Sequence, residues 1–115
     1  MALVDYQVEG HVARITINRP EAKNAINPEV ACRLTDAWHS VRDNAEVRVA
    51  VLTGTGDVFC AGADLGRLIP LISGSRSAED EWDERMLADR TILETALLRE
   101  FDPIKPVIAA INGHA

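Results

Sequence analysis

The sequence predicts an α/β fold, and three observations carry that prediction. Short β-branched or apolar runs occur at 3–9, 11–17, 47–53 and 106–111. Between them lie stretches whose apolar residues recur at helical spacing, chiefly 28–43 and about 79–101. Gly, Pro or Asn stands at each change of period. The order reads ββ-α-β-α-α-β, with apolar strands alternating with helices.

The first two strands, 3–9 and 11–17, flank a tight turn at Gly10, and the second is the better patterned, with Val12, Ile15 and Ile17. A polar loop with Pro20 follows over 18–25. Asn27 before Pro28 is a helix start: a side-chain cap, then a residue whose missing N–H is no loss in the first turn. Val30, Leu34, Ala37, Trp38 and Val41 then line one face of a helix over 28–43. The apolar run 47–53 reads as a strand buried on both faces. A Gly-rich turn at 54–57 and a small-residue loop at 58–65 lead into a short helical pattern at 64–71. The segment 72–78 (ISGSRSA) has the most flexible composition. A longer helix is expected from about 79 to 101, acidic at its start as the helix dipole favours. Asp102-Pro103 ends it, and 106–111 reads as another buried-type strand, without a helix to cover it. No internal repeat is evident.

Composition narrows the classes of function. The 115 residues suit one ordinary domain, and 47% apolar with 26% charged residues is globular. Only 4% are aromatic, so stacking surfaces for bases are scarce, and 12 basic against 18 acidic residues is the wrong sign for a phosphate backbone. No nucleic-acid partner is expected. Residues 79–89 hold six acids and one Arg, a local charge of −5; such a run is ordinarily a solvated helix face, though an interaction surface is the alternative. Cys32 and Cys60 make neither a disulfide framework nor a metal-binding cluster, so no metal is expected. No charged-then-apolar leader and no apolar run near 18 residues is seen, which predicts a cytoplasmic protein without a membrane span.

Three segments could carry chemistry. In 54–65 (GTGDVFCAGADL) a strand end and glycines lead into a helix near Asp64. Such a junction offers unpaired N–H groups where the dipole favours negative charge, and small side chains let a ligand oxygen approach. The plainer alternative is a connection with Gly and Ala present for packing. It is no phosphate loop, since it lacks the GKS or GKT ending and the GxGxxG spacing. The loop 18–27 (NRPEAKNAIN) carries Arg19 and Lys23, one of two lysines in the chain; it reads either as a grip for a phosphate-bearing ligand or as a solvated surface. His114, beside Gly113 after a strand, is a candidate for acid–base work; with no partner carboxylate in view, the structural reading is preferred.

NRPEAKNAIN, VAVLTGTGDVFCAGADL and PVIAAINGHA together, in this order and spacing, resemble the N-terminal part of the enoyl-CoA hydratase/isomerase (crotonase) superfamily. The match runs over nearly all of 1–115. The resemblance implies a crotonase-like ββα spiral, of which 1–115 is the N-terminal part of a single domain. It also implies an acyl-CoA thioester as substrate, with coenzyme A as part of that substrate and no separate cofactor. The thioester enolate would be held by two backbone N–H groups, the first of which maps onto Ala63. By position Ala22, Lys23 and Ala25 would contact coenzyme A, with Lys23 on its phosphates. Ala61, Gly62, Asp64 and Leu65 would line the pantetheine–thioester end. Leu68 and the variable segment to about Leu87 would border the acyl pocket. The implied parent reaction is hydration of a 2-enoyl-CoA in a homotrimer or dimer of trimers. Isomerases, hydrolases and dehalogenases of the superfamily share these motifs. A non-catalytic CoA-binding or assembly fragment is the reading from a different class. The family's second oxyanion donor and acid–base glutamates follow the NGHA segment, so no residue here inherits those roles. The 115-residue chain alone is therefore expected to be inactive.

Overall fold

The structure, a computed structural model, describes residues 2–115. Strands β1 (Val4–Glu9) and β2 (Val12–Ile17) form an antiparallel hairpin. A single 3₁₀ turn at Pro20–Ala22 precedes helix α1 (Pro28–Asp43), and β3 (Val49–Gly54) follows. Then come α2 (Leu68–Ser73), α3 (Glu81–Ala88), α4 (Ile92–Ala96) and β4 (Val107–Ala109). The sheet order is β1-β2-β3-β4, with β2, β3 and β4 mutually parallel. The α/β class and the ββ-α-β opening are as the sequence predicts.

Helix α1 begins where Asn27-Pro28 places it: the Asn27 side chain accepts the Val30 N–H at 2.9 Å. Its apolar stripe (Val30, Leu34, Ala37, Trp38, Val41) packs on Ala13, Ile15, Ile17 and Ala50 of the sheet, and all of these are buried. On its other side lie α3 and α4. Two polar groups of α1 are satisfied there: Thr35 Oγ1 donates to the Ile92 carbonyl at 2.8 Å and Trp38 Nε1 to that of Ala96 at 3.0 Å. The helix ends under Lys105, whose ammonium donates to the carbonyls of Val41, Arg42 and Asn44. A cation with three donors suits the negative end of a helix whose last carbonyls lack partners.

Four expectations need correction. The helix expected over 79–101 is two short ones, because Asp89 leaves helical geometry and its carboxylate accepts both the backbone N–H and the hydroxyl of Thr91. That local cap competes with helix continuation. The strand expected over 47–53 is not buried on both faces: Ala50 is fully buried, whereas Val49, Val51 and Leu52 are half-buried. Strand β4 is three residues long, and Ile108 and Ile111 are 54% and 62% exposed. Val12, Val49, Val51 and Ile108 lie in register on the face turned away from α1, where no described helix covers them. Finally, 72–78 is pinned rather than loose. Arg76 is bidentate on the buried carboxylate of Asp83, at 2.6 and 3.0 Å, and also donates to the Arg67 carbonyl.

Candidate functional site

At the end of β3 the chain folds back tightly. A Cβ on Gly54 would stand 2.3 Å from the Phe59 carbonyl oxygen and 2.7 Å from both the Val58 carbonyl oxygen and Asn24 Nδ2. No side chain fits there, so residues 54–59 can close over the strand end only with glycine at 54. The loop 18–27 approaches the same place from the other side. Asn24, 0% exposed, accepts the Arg19 N–H at 2.9 Å and donates to the carbonyls of Thr55 and Val58 at 3.0 and 2.8 Å. Lys23 and Asn24 both occupy the left-handed region, with φ of 54° and 57°. Asn tolerates it; Lys is strained there.

The two loops then run side by side as a short parallel bridge between Ile26 and Ala63. Ala61 N–H donates to the Lys23 carbonyl at 3.0 Å, Ile26 N–H to that of Gly62 at 2.8 Å, and Asp64 N–H to that of Ile26 at 2.9 Å. The bridge aims one group outward. In a trans peptide the C=O and N–H point in opposite directions, and no cis bond occurs here. Because the Gly62 carbonyl faces Ile26, the N–H of Ala63 must face away from it. Among the described residues that N–H has no hydrogen-bond partner, and Ala63 is exposed. Gly62 supports the turn with φ of +102°, where a side chain would be strained.

Asp64 holds the far side of the loop. Its carboxylate accepts the backbone N–H groups of Gly66 and Arg67, at 2.8 and 2.9 Å, and a guanidinium N–H of Arg19 at 2.8 Å. Both members of the ion pair are 15% exposed. Burial alone would raise the Asp64 pKa; the hydrogen bonds from Arg19, Gly66 and Arg67 outweigh it and hold the carboxyl below its ordinary range. The pair joins residues 45 apart and fixes the two loops to each other.

Eight of the predicted site residues are thus brought together. Ala61, Gly62, Ala63, Asp64 and Leu65 form one loop, and Ala22, Lys23 and Ala25 lie on its bridged neighbour. Two expectations change. Arg19 is no free cation for a phosphate, because Asp64 and the Ala25 carbonyl (3.1 Å) occupy it. Leu68 is 1% exposed and belongs to the core, because the helix starts at Leu68 rather than Asp64 and turns that side chain inward. A cavity of about 200 Å³ lies beyond it, lined by Leu71, Ile72, Met86, Leu87 and Leu93, with Asp89 and Arg90 at its rim. The His114 carbonyl accepts the Phe59 and Cys60 N–H groups, at 2.7 and 3.3 Å, and its ring is exposed. Among the described residues no group of three or more His, Cys, Asp or Glu could hold a metal ion, and no helix is long and apolar enough to cross a membrane.

The family model for enoyl-CoA hydratase/isomerase matches residues 7–115. The chain belongs to that family. It is 38% identical to the (E)-benzylidenesuccinyl-CoA hydratase of Thauera aromatica over 97% of this chain and 40% of that protein. To an enoyl-CoA hydratase of Mycobacterium tuberculosis it is 33% identical, over 92% and 37% of the two chains. The crystal structure of an enoyl-CoA hydratase from Mycobacterium marinum superposes with a TM-score of 0.74 at 32% identity, covering 98% of this chain and 39% of that one. The fold is therefore that of the crotonase-like enzymes, and the chain spans about two fifths of the length of these relatives. What sequence reasoning missed in this enoyl-CoA hydratase/isomerase family chain is the scaffold of the site: Asn24, Asn112 and the Arg19–Asp64 pair. Asn24 and Asn112 lie within the quoted motifs, yet an asparagine in a loop carries no signal of what it pins.

Proposed function

We propose that this chain carries the thioester-binding part of an acyl-CoA enzyme, with the Ala63 N–H as a donor to the thioester oxygen. The observation that carries the reading is that outward-facing N–H, unpaired between neighbours whose backbone groups are tied down. In hydration of a 2-enoyl-CoA, water oxygen bonds to the β-carbon and gives up a proton, the electron pair of the double bond moves onto the thioester oxygen, and that pair then returns to bind a proton at the α-carbon. An N–H aimed at that oxygen interacts more strongly with the enolate than with the ground-state carbonyl, and so lowers the barrier. A single such donor is worth roughly 2.7–4 kcal/mol. Ala22, Ala25, Ala61, Gly62 and Leu65 offer small or exposed surface along the path of the pantetheine chain, and exposed Lys23 offers the cation for the nucleotide phosphates. Asp64 serves as the anchor of that loop.

The chain alone does not complete the reaction. The carboxylate next in sequence to Ala63, that of Asp64, is committed to Arg19 and two backbone donors, which leaves it no proton to exchange. General acid–base catalysis contributes roughly 10²–10⁴-fold. The same commitment favours the second reading, CoA binding without chemistry in this chain. Assembly as a homotrimer or dimer of trimers rests on the resemblance alone. Isothermal titration with CoA tests the proposal: saturable binding, weakened by Lys23→Ala and by salt, is expected, and no binding refutes it. Measurable hydration of crotonyl-CoA by the purified chain would overturn the claim that it is inactive by itself.

A further inference from the structure

We infer that Asn24 and Asn112 are a pair of positioning residues that set the direction of the Ala63 N–H, an inference that rests on the thioester-binding reading. The two side chains come from segments 88 residues apart in sequence and converge on one carbonyl. Val58 O receives Asn24 Nδ2 at 2.8 Å and Asn112 Nδ2 at 3.3 Å. Each amide also takes a second carbonyl of the same turn, Thr55 for Asn24 (3.0 Å) and Gly56 for Asn112 (2.7 Å). Their oxygens are used as well. Asn24 Oδ1 accepts the Arg19 N–H, and Asn112 Oδ1 accepts the Gly54 N–H at 3.3 Å. The turn 54–58 is therefore gripped from both sides by primary amides, each acting as donor and acceptor at once. An amide can do this; a carboxylate, which only accepts, cannot.

The grip is transmitted along the chain. After Val58 come Phe59 and Cys60, whose N–H groups are tied to the His114 carbonyl, and then Ala61, tied to Lys23. Gly113 lets the 112–114 segment lie this close, since a Cβ there would fall 1.8 Å from the Asp57 carbonyl oxygen. Residues 54–56, 58–62 and 64 are thus each hydrogen-bonded to one of the two asparagine-bearing segments, and Ala63 is the point at which the constraint ends in a free donor. Preorganised donors act because they need no reorientation when charge develops. A turn held on one side only lets the 61–63 peptides rock, and the N–H then averages over directions.

The test uses the 115-residue chain and a carbonyl-¹³C-labelled acetyl-CoA. In the wild type, binding shifts the Ala63 amide ¹H resonance and the thioester ¹³C resonance together. Asn112→Asp keeps shape but removes the donor, and residue 112 is exposed, so the fold survives. It is expected to abolish at least half of both shifts, weaken acetyl-CoA about threefold or more, and leave the affinity for CoA, which has no carbonyl to polarise, unchanged. Asn24→Asp should do the same where it folds; if it does not, Asn112→Asp and Asn112→Ala decide. Equal losses for CoA and acetyl-CoA would mark a merely structural role and overturn the inference, as would wild-type shifts in Asn112→Asp. A wild type that binds CoA while its Ala63 resonance ignores the thioester would instead remove the donor reading, and the inference with it.

Discussion

Replacing Asp64 with Ala removes one partner of a half-enclosed ion pair and leaves the other in place. The magnitude follows from what each donor can do afterwards. The Gly66 N–H is exposed and that of Arg67 half-buried, so water replaces much of their loss. Arg19 is 15% exposed and keeps only the Ala25 carbonyl. Stripping one partner from a fully buried pair costs roughly 3–5 kcal/mol. The residual exposure and the surviving hydrogen bond reduce this to about 2–3 kcal/mol, within the range of one to two charged hydrogen bonds. Against a total stability of roughly 5–15 kcal/mol that is a large fraction, and thermal unfolding followed by circular dichroism should show a midpoint lowered by roughly 6–15 °C. The pH dependence adds a second check. The Asp64 pKa is lower folded than unfolded, so its stabilising contribution is fully present above the ordinary value of 3.8 and is lost as pH falls through the depressed folded value. The gap between wild type and Asp64→Ala should therefore be widest near neutrality and narrow below pH 3.8. A variant within about 0.5 kcal/mol of wild type at pH 7, or a gap that persists unchanged in acid, would refute the assignment of Asp64 as the anchor.

Other perturbations separate scaffold from ligand contact. Gly54→Ala puts a methyl 2.3 Å from a backbone oxygen that cannot retreat without breaking the turn, so denaturant unfolding should report a loss at or above the top of the roughly 1–3 kcal/mol typical of overpacking. Lys23→Gly relieves a left-handed lysine, worth roughly 1–2 kcal/mol, against about 1 kcal/mol of extra unfolded-state entropy; stability should hold or rise slightly while CoA affinity falls in titration. Lys105→Met removes three donors from the C-terminal carbonyls of α1, and the urea midpoint should fall by the equivalent of about 1–2 kcal/mol. A thiol reagent at neutral pH should label Cys60 and spare Cys32. The latter is 0% exposed, and burial pushes its pKa up to about 11. Rapid uptake of two equivalents by the folded chain would contradict that packing.

Local physics was legible in the sequence wherever one residue type has one use. Asn27-Pro28 announces the start of α1, and the spacing of Val30, Leu34, Trp38 and Val41 announces which face is buried. The glycines of 54–62 announce backbone in unusual conformations close to other backbone. What could not be read was competition and distance. Trp82, Met86 and Leu93 keep helical spacing through Asp89, so the period alone cannot show that Asp89 prefers to cap Thr91. The expected start at Asp64 failed for a related reason: the carboxylate turns back onto Gly66 and Arg67, and the helix waits until Leu68. The Arg19–Asp64 pair joins positions 45 apart, and nothing in either local pattern marks it; Arg19 therefore read as a free cation when it is a strut.

The distribution of polar groups around the site has a common logic. Every side chain that could have offered charge to a ligand from within the scaffold (Arg19, Asp64) is consumed by the other, and the amides of buried Asn24 and exposed Asn112 are spent on the 54–58 turn. What the two bridged loops leave open toward a ligand, among the described residues, includes the Ala63 N–H and the strained, exposed Lys23, a neutral donor and a cation. A thioester and a phosphate-bearing handle call for those two functions, and for little else that is charged between them. The apolar strip of Val12, Val49, Val51 and Ile108 lies on the outer face of the sheet, away from α1, so the site's geometry is set by loops crossing the strand ends and does not depend on how that face is covered. A site built this way should lose ligand selectivity through scaffold substitutions far more readily than through changes at Ala63 itself, whose side chain contributes only its small size.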